Sequence, residues 1–381
     1  MLFRSLPKNP SWLTYQESAD SFDRSGTTFL TGDDAHMLAS DPGSASSEVM
    51  DAVKNRLPSL SPQARPDQAQ FLGDMADDGK LADLRFAKSK MDALGVPSRD
   101  VVGNHEITQG ADAENGDFAQ VFGDTHYSYS AGPAQVIVTD NAHGSLLSSD
   151  AFQSPAGAQY PWLVDQLTHA TGHDVLVVTH MPAYDPHPAA NSQFTDRWEA
   201  QMYLRLVQKY QQSHPDKHVI MLYGHARGFA EQILSPTGQS VTASQGGVPQ
   251  LTFADLGMEP YAPADQGGFY NFGLLHVAQN GDIRFSVEPV LSAVHVTAPS
   301  AMLARGGKET LTASGDEVGG DNLPDVSMPI ADPASHVWSS DNPKAASVDP
   351  VSGVVTAHRP GTATVTGTSG GVGGSVELTV K

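Results

Sequence analysis

The stretch Val101-Val102-Gly103-Asn104-His105-Glu106 decides the fold prediction for the first three quarters of this chain. Its apolar pair predicts the end of a buried strand, and the polar residues that follow place a metal ligand beside a candidate proton donor. In a chain of 381 residues, Gly-Asn-His-Glu also arises by chance as a turn with a solvated histidine. The choice between these interpretations depends on partners elsewhere in the sequence.

Four further motifs place polar residues just after predicted strands. Residues 27–31 precede an Asp-x-His, residues 68–72 precede Gly-Asp-x-x-Asp-x-Gly, and the apolar runs 174–178 and 218–223 each precede a histidine. Taken singly, these motifs could be a polar turn, a solvated acidic turn and two structural histidines. An ordered series of five is hard to obtain by chance. The candidate metal ligands it supplies are Asp34, His36, Asp74, Asn104, His180 and His225.

Segments with helical periodicity separate these strands. They cover residues 46–56, 81–94, 160–167 and 196–210, and residues 127–139 predict a hairpin. Strands that alternate with helices predict an α/β sheet, in which the carboxyl ends of the strands line the ligand crevice. The five motifs are therefore expected to meet in one site.

Composition limits the chemistry of that site. With 22 Lys and Arg against 43 Asp and Glu, the net charge is −21, and we expect no nucleic-acid partner because such a field repels phosphate backbones. The chain has no cysteine, so His, Asp, Asn or Glu must hold any metal. No run of about 18 apolar residues predicts a membrane span. Residues 1–10 lack the apolar core and cleavage pattern of a signal peptide.

The five motifs together resemble those of the calcineurin-like metallophosphoesterases, over about residues 27–288. The resemblance implies a four-layer α/β/β/α sandwich, a two-metal site at the sheet edge and a phosphate ester substrate. By position, Asp34 and His36 would bind the first metal, Asp74 would bridge both, and the second would be completed by Asn104, His180 and His225. His105 matches the family's proton donor or phosphate contact. Asp77 matches the carboxylate that orients His105, and pairing would raise the pKa of His105.

The ligand set suits up to two Mn, Fe or Zn ions, because it offers hard oxygens and imidazoles but no soft sulfur. Three departures from the family pattern narrow the prediction. Arg227 stands where the usual Gly-His-x-His ends in histidine, so the first metal is expected to be weak, exchangeable or absent. Arg227 could then hold two phosphate oxygens and replace part of the missing metal's charge. The alternative is that Arg227 points away into a surface ion pair. Asp78 replaces the arginine of phosphoprotein phosphatases, and Asp77 the tyrosine of purple acid phosphatases.

From about residue 292 the composition changes to Val, Thr, Ser, Ala and Gly with turns at short spacing, which predicts a small all-β sandwich. Residues 337–349, 353–357 and 360–366 resemble the bacterial immunoglobulin-like group 2 domain. Trp338 is expected in its core. We therefore predict a lead-in at residues 1–26, a phosphoesterase domain at 27–290 and an immunoglobulin-like domain at 291–381.

The resemblance implies metal-dependent hydrolysis of a phosphomonoester or phosphodiester. The alternative is a catalytically degenerate member that binds a phosphate-containing ligand or a cell-surface polymer. A purely adhesive protein would leave the ordered ligand set unexplained. Domains of the immunoglobulin-like type resemble spacers of secreted and surface proteins, so an extracellular or cell-surface bacterial location is expected, with a surface polymer as a second partner.

Overall fold

The computed structural model describes residues 9–16, 19–23, 25–107, 116–147, 159–187, 190–253, 255–319, 328–329 and 337–381. The strands of the N-terminal part are β1 (Leu13–Tyr15), β2 (Gly26–Thr31), β3 (Gln68–Gln70), β4 (Ser98–Arg99), β5 (Tyr127–Ala131), β6 (Ala134–Val138), β7 (Asp174–Val178), β8 (His218–Tyr223), β9 (Ala230–Leu234), β10 (Val248–Thr252), β11 (Asn271–Ala278) and β12 (Ile283–Pro289). Its α-helices are α1 (Ala45–Arg56), α2 (Leu81–Asp92), α3 (Phe118–Phe122), α4 (Gln159–Thr168) and α5 (Arg197–Ser213).

Two six-stranded mixed sheets form the N-terminal part. The first sheet has the strand order β1-β12-β11-β2-β3-β4, and the second has the order β5-β6-β7-β8-β10-β9. Strands β2, β3 and β4 run parallel to one another, as do β6, β7, β8 and β10. Because these strands are parallel, their carboxyl ends, which carry the sequence motifs, lie at one edge of each sheet.

The side chains of β7 show how the layers stack. Leu176 and Val178 belong to the apolar cluster between the two sheets, whereas Val175 and Val177 pack with α4 and α5 on the outer face. Successive side chains of a strand point to opposite faces, so an uninterrupted apolar run is buried on both sides.

Helices α1 and α2 cover the first sheet in the same way, through a separate apolar cluster that includes Leu30 of β2. The predicted four-layer α/β/β/α arrangement is confirmed.

The sequence-based helices correspond closely to the structure, since α1, α2, α4 and α5 lie within two or three residues of the predicted segments. Helix α5 begins after Asp196, whose carboxylate accepts hydrogen bonds from the backbone N–H groups of Trp198 and Glu199. Within the predicted lead-in, β1 pairs in parallel with β12. Three residues are too few to show a strand period in the sequence.

The C-terminal part is all β, as predicted. It contains β13 (Leu291–Thr297), β14 (Met302–Leu303), β15 (Lys308–Thr310), β16 (Thr312–Glu317), β17 (Met328–Pro329), β18 (Val337–Ser340), β19 (Ala346–Val348), β20 (Val354–Ala357), β21 (Gly361–Ser369) and β22 (Val372–Val380). These strands form three small sheets. Trp338 is only 3% exposed, which confirms its predicted place in the core.

The C-terminal part is hydrogen-bonded to the N-terminal part beside the ends of β11, β12 and β16. The backbone N–H of Tyr270 donates to the Glu317 carboxylate at 2.6 Å, and that of Val318 donates to the Val290 carbonyl at 3.3 Å. Among the described residues, none of the helices combines the length and the apolar composition of a transmembrane segment.

Candidate metal centre

Five strand ends from the two sheets meet at one place. The loops after β2, β3 and β4 come from neighbouring strands of the first sheet, and those after β7 and β8 come from neighbouring strands of the second. Because these strands are parallel within each sheet, their carboxyl ends lie side by side. The structure brings together all six predicted metal ligands, with His105, Asp77 and Arg227 beside them.

The backbone at this meeting point is strained. Only six non-glycine residues of the described chain have a positive φ, and five belong to the predicted site. Their φ angles are 53° at Asp34, 48° at His36, 52° at Asp74, 65° at His225 and 41° at Arg227. Such conformations are unfavourable for L residues and persist only where the surroundings hold them, typically at functional sites.

A first cluster consists of Asp34, His36 and Asp74. His36 Nε2 lies 3.3 Å from Asp34 Oδ1 and 3.6 Å from Asp74 Oδ2. On the other side of the ring, His36 Nδ1 lies 3.3 Å from the Asp77 carboxylate. All three members of the cluster are buried.

A second cluster consists of Asp74, Asn104, His180 and His225. His180 Nε2 lies 3.2 Å from Asp74 Oδ2, 3.2 Å from Asn104 Oδ1 and 3.1 Å from His225 Nδ1. Its other ring nitrogen, Nδ1, donates to the Leu72 carbonyl at 2.7 Å. That bond fixes the ring orientation and aims Nε2 into the cluster, as an outer partner does for a metal-bound histidine.

The chemistry of the second cluster fits a cation. A carboxylate oxygen, an amide oxygen and two imidazole nitrogens converge, and all four atoms can present lone pairs. Lone pairs at such distances repel unless a proton or a metal ion lies between them. Oxygen and imidazole ligands without sulfur suit Mn, Fe or Zn.

The charges of the buried carboxylates shift the histidine pKa values. Burial lowers the pKa of His36, but hydrogen bonds to Asp34 and Asp77 and the charge of Asp74 outweigh it and raise that pKa to about 10. Burial also lowers the pKa of His180, but the charge and hydrogen bond of Asp74 raise it to about 9. Burial alone would raise the pKa of Asp74, but the imidazolium partners hold it well below its usual value. Without metal, protons therefore compensate the carboxylates.

Metal binding is expected to be linked to proton release. Below pH 9, the His180 proton must leave before Nε2 can bind a cation, so the Mn²⁺ affinity should rise with pH by up to about tenfold per unit. Titration calorimetry between pH 6 and pH 8, in buffers of different ionisation enthalpy, measures both the affinity and the released proton. An affinity independent of pH, with no proton released, would contradict the ligand role of His180.

His105 lies at the open side of the centre. Its backbone N–H donates to Asp74 Oδ1 at 2.9 Å, and its Nδ1 lies 2.8 Å from the Asp77 backbone carbonyl. The Asp77 carboxylate is farther from that nitrogen, at 3.9 Å, and closer to His36. The side chain of His105 is 31% exposed, which leaves it accessible to a ligand.

The net pKa of His105 is lowered, although the Asp77 backbone carbonyl and the Asp77 charge both raise it, as expected. Burial of the imidazole lowers that pKa, and the charges of Asp74 and Asp77 only partly oppose the effect. The reason is geometric: the Asp77 main chain orients the ring, whereas its carboxylate turns toward His36. The sequence motif contained no information on which of the two histidines receives the carboxylate.

Arg227 points into the centre. Its Nε lies 3.6 Å from Asp34 Oδ1, and one terminal guanidinium nitrogen lies 3.3 Å from His36 Nε2. The guanidinium carbon is 4.8 Å from the centre of the Tyr261 ring, in a cation–π contact. The alternative of an outward-facing surface ion pair is therefore wrong, because the side chain is only 14% exposed and contacts two buried cluster members.

Glu106 is a positioning residue whose role the sequence did not reveal. One carboxylate oxygen accepts hydrogen bonds from the backbone N–H groups of Gly103, at 2.8 Å, and Asp74, at 2.9 Å. The other accepts from the backbone N–H of Ala76 at 2.8 Å. The carboxylate thus ties the loop after β4 to the loop after β3. Its position in Gly-Asn-His-Glu was the available signal.

We expect Glu106→Gln to loosen this part of the centre. The amide NH₂ must face at least one backbone N–H that now meets a carboxylate oxygen, and a stranded buried donor costs about 1–3 kcal/mol. The melting temperature and the Mn²⁺ affinity should both fall. Glu48→Gln, on the exposed face of α1, is the matched control and should leave the Mn²⁺ affinity unchanged. Unchanged melting and metal binding in Glu106→Gln would remove its positioning role.

Asp33 and Gly73 complete the support. Asp33 is buried and accepts the backbone N–H of His225 at 2.5 Å, which joins a first-sheet loop to a second-sheet loop. Gly73 has a φ of 100°, and a Cβ there would lie 2.6 Å from His180 Nδ1. The close approach of the backbone to His180 therefore requires glycine at this position.

Comparison with known families identifies the C-terminal part. Residues 291–380 match the model of the bacterial Ig-like domain (group 2). The comparison with curated proteins finds no match. The family match confirms that the C-terminal residues resemble this domain, as the sequence predicted.

Solved structures with a broadly similar fold are of low identity. GAP50, the anchor in the inner membrane complex of Plasmodium, is 15% identical with a TM-score of 0.48, and the match covers 70% of this chain and 85% of that chain. PhoD is 10% identical with a TM-score of 0.44, and the match covers 93% of this chain and 72% of PhoD. A 5'-nucleotidase from Candida albicans is 12% identical with a TM-score of 0.37, and the match covers 75% of this chain and 53% of the nucleotidase. With TM-scores below 0.5, these likenesses carry no functional inference.

The family match and the fold lead to one assignment. Residues 291–380 form a bacterial Ig-like domain of group 2. The mixed α/β part that precedes this domain has the four-layer arrangement that the resemblance to the calcineurin-like metallophosphoesterases implies.

Proposed function

We propose that the chain is a metal-dependent phosphoesterase that hydrolyses a phosphomonoester or a phosphodiester with a metal-activated water. The observation that carries the proposal is the second cluster, where Asp74, Asn104, His180 and His225 aim lone-pair atoms at one another. When bound there, a Mn, Fe or Zn ion would acidify a water ligand and polarise a phosphoryl oxygen.

The remaining side chains supply two functions around that ion. Arg227 presents a planar guanidinium that can bind two phosphoryl oxygens, which suits an anionic substrate on a chain of net charge −21. His105 is partly exposed, and its Nδ1 donates to the Asp77 carbonyl, so Nε2 can take up a proton from solvent and pass it to the leaving oxygen. Hydrolysis then breaks the P–O ester bond as the water oxygen joins phosphorus, and the proton that this water loses returns to solvent.

A degenerate, ligand-binding protein is the second candidate. The guanidinium of Arg227 beside Asp34 and His36 favours it, because a positive side chain at the first cluster can bind phosphate without any turnover. Such a protein would bind a phosphate-containing ligand or a surface polymer. The two candidates share a phosphate-binding centre and differ only in hydrolysis.

An assay with added Mn²⁺ distinguishes the two candidates. The substrates are an aryl phosphate monoester and a bis-aryl phosphodiester, and the control is the same protein after chelation. We expect release of the aryl alcohol that is lost on chelation and restored by Mn²⁺. Saturable binding of inorganic phosphate with no release from either ester would support the degenerate reading instead. A panel of monoesters, diesters and cell-wall polymers would then define the substrate class.

The proposed location is extracellular or on the surface of a bacterial cell. The matched domain type at residues 291–380 supports this proposal, together with the absence of cysteine. We also propose that residues 27–290 carry the catalytic chemistry, since all of the proposed ligands lie there, and that the Ig-like part contacts a surface polymer or acts as a spacer. Fractionation of the producing cells tests the location.

A further inference from the structure

We propose that the Arg227 guanidinium takes the place of the first metal ion, so that the centre works with one cation, held by the second cluster. The inference rests on the proposed function and specifies how its site is built. The two clusters share Asp74. They differ in the side chains around them, because Arg227 lies against the first cluster.

The guanidinium contacts two atoms that a first metal ion would need as ligands, Asp34 Oδ1 and His36 Nε2. Arg227 Nε approaches Asp34 Oδ1 to 3.6 Å, and a terminal nitrogen approaches His36 Nε2 to 3.3 Å. These two atoms are themselves 3.3 Å apart. A cation bound by both would have to share that space with a permanent positive charge.

Counting lone pairs gives the same result. A neutral His36 that accepts a hydrogen bond from Arg227 uses its Nε2 lone pair and donates from Nδ1 to the Asp77 carboxylate. The Arg227 donor therefore competes with a metal ion for the Nε2 lone pair of His36. The second cluster differs because no arginine or lysine of the described chain forms an ion pair with its carboxylate, Asp74.

The arginine is fixed in this position from several sides. Tyr261 stacks on the guanidinium at 4.8 Å, and its backbone N–H donates to the Arg227 carbonyl at 3.0 Å. The backbone of Arg227 adopts a φ of 41°, which tertiary contacts must maintain. The side chain is therefore pre-organised, and an ordered fork loses little entropy on binding phosphoryl oxygens.

Asp34 keeps one free acceptor in this arrangement. Its Oδ2 is buried and has no hydrogen-bond partner among the described residues. Asp34 Oδ2 and the shared Asp74 carboxylate are the atoms of the first cluster that could still bind a second cation, so metal stoichiometry is the decisive measurement.

The test measures metal content without reference to hydrolysis. After chelation and reloading with Mn²⁺, elemental analysis of the dialysed protein should find about one ion per chain. The electron paramagnetic resonance spectrum should be that of an isolated ion. Two ions that share the Asp74 carboxylate would lie about 3.5–4 Å apart and give an exchange-coupled spectrum instead.

Arg227→His restores the imidazole and should raise the content toward two ions with an exchange-coupled spectrum. Arg205→His, on the exposed face of α5, is the matched control and should stay at one ion. Two tight ions in the unmodified protein would overturn the proposal, even if Arg227→His failed to fold. One ion without ester hydrolysis would leave it standing and reject the proposed function. Two ions with hydrolysis would do the reverse.

Discussion

Replacing Asp74 with asparagine is expected to abolish hydrolysis and to empty the centre of metal. The carboxylate is the one group shared by both clusters, with Oδ2 lying 3.2 Å from His180 Nε2 and 3.6 Å from His36 Nε2. Its Oδ1 accepts the backbone N–H of His105, so an asparagine that keeps this bond must turn its NH₂ toward the position of the cation. We expect Mn²⁺ affinity to fall by more than roughly 100-fold, the upper range for loss of an outer partner alone.

Calorimetric titration of Mn²⁺ and the ester assay measure the two effects on one preparation. The matched control is Asp83→Asn, which changes a buried aspartate that accepts the backbone N–H of Ala39 and belongs to neither cluster. The control should keep its metal. Near-normal turnover in Asp74→Asn, with metal still bound, would contradict the assignment of this carboxylate.

Replacing His105 with alanine is expected to separate rate from metal binding. The link from His105 to Asp74 runs through the backbone N–H, which alanine retains, and the imidazole is not part of the second cluster. Metal content should therefore stay near that of the unmodified protein. The turnover rate should fall by about 10²–10⁴-fold if the imidazole protonates the leaving oxygen.

The control for this variant is His126→Ala. His126 is a partly buried histidine outside the centre, and burial lowers its pKa as it lowers that of His105. It should leave the turnover rate unchanged. Esters with leaving groups of decreasing pKa refine the reading, because a good leaving group needs no proton and should be spared in His105→Ala. A parallel loss of metal and rate would reassign His105 to the ligand set.

The residue types at the strand ends were predictable because they follow local rules. A buried strand requires a run of apolar residues, and the polar residue after it marks where the strand ends. The order of the motifs then indicated which loops should meet, and the parallel strands bring them together at the sheet edges. The C-terminal Ig-like part could be predicted for the same reason, because its short strands and turns follow local sequence rules.

Orientation of the side chains was decided only by the tertiary structure. Asp77 could have turned its carboxylate to either histidine, and it turned to His36 because the loop backbone presents its carbonyl to His105. The supporting hydrogen bonds of Asp33 and Glu106 were also hidden, since their partners are backbone N–H groups that carry no residue identity.

Arg227 shows the division most clearly. The sequence by itself established that an arginine stands where a terminal histidine was expected, and that the chain provides carboxylates, imidazoles and no thiol. Whether that arginine faced solvent or the centre depended on the strained turn after β8 and on Tyr261, which lies 34 residues further along the chain. Local pattern fixes the chemistry available at a position, whereas contacts between distant segments fix the direction in which a long, flexible side chain points.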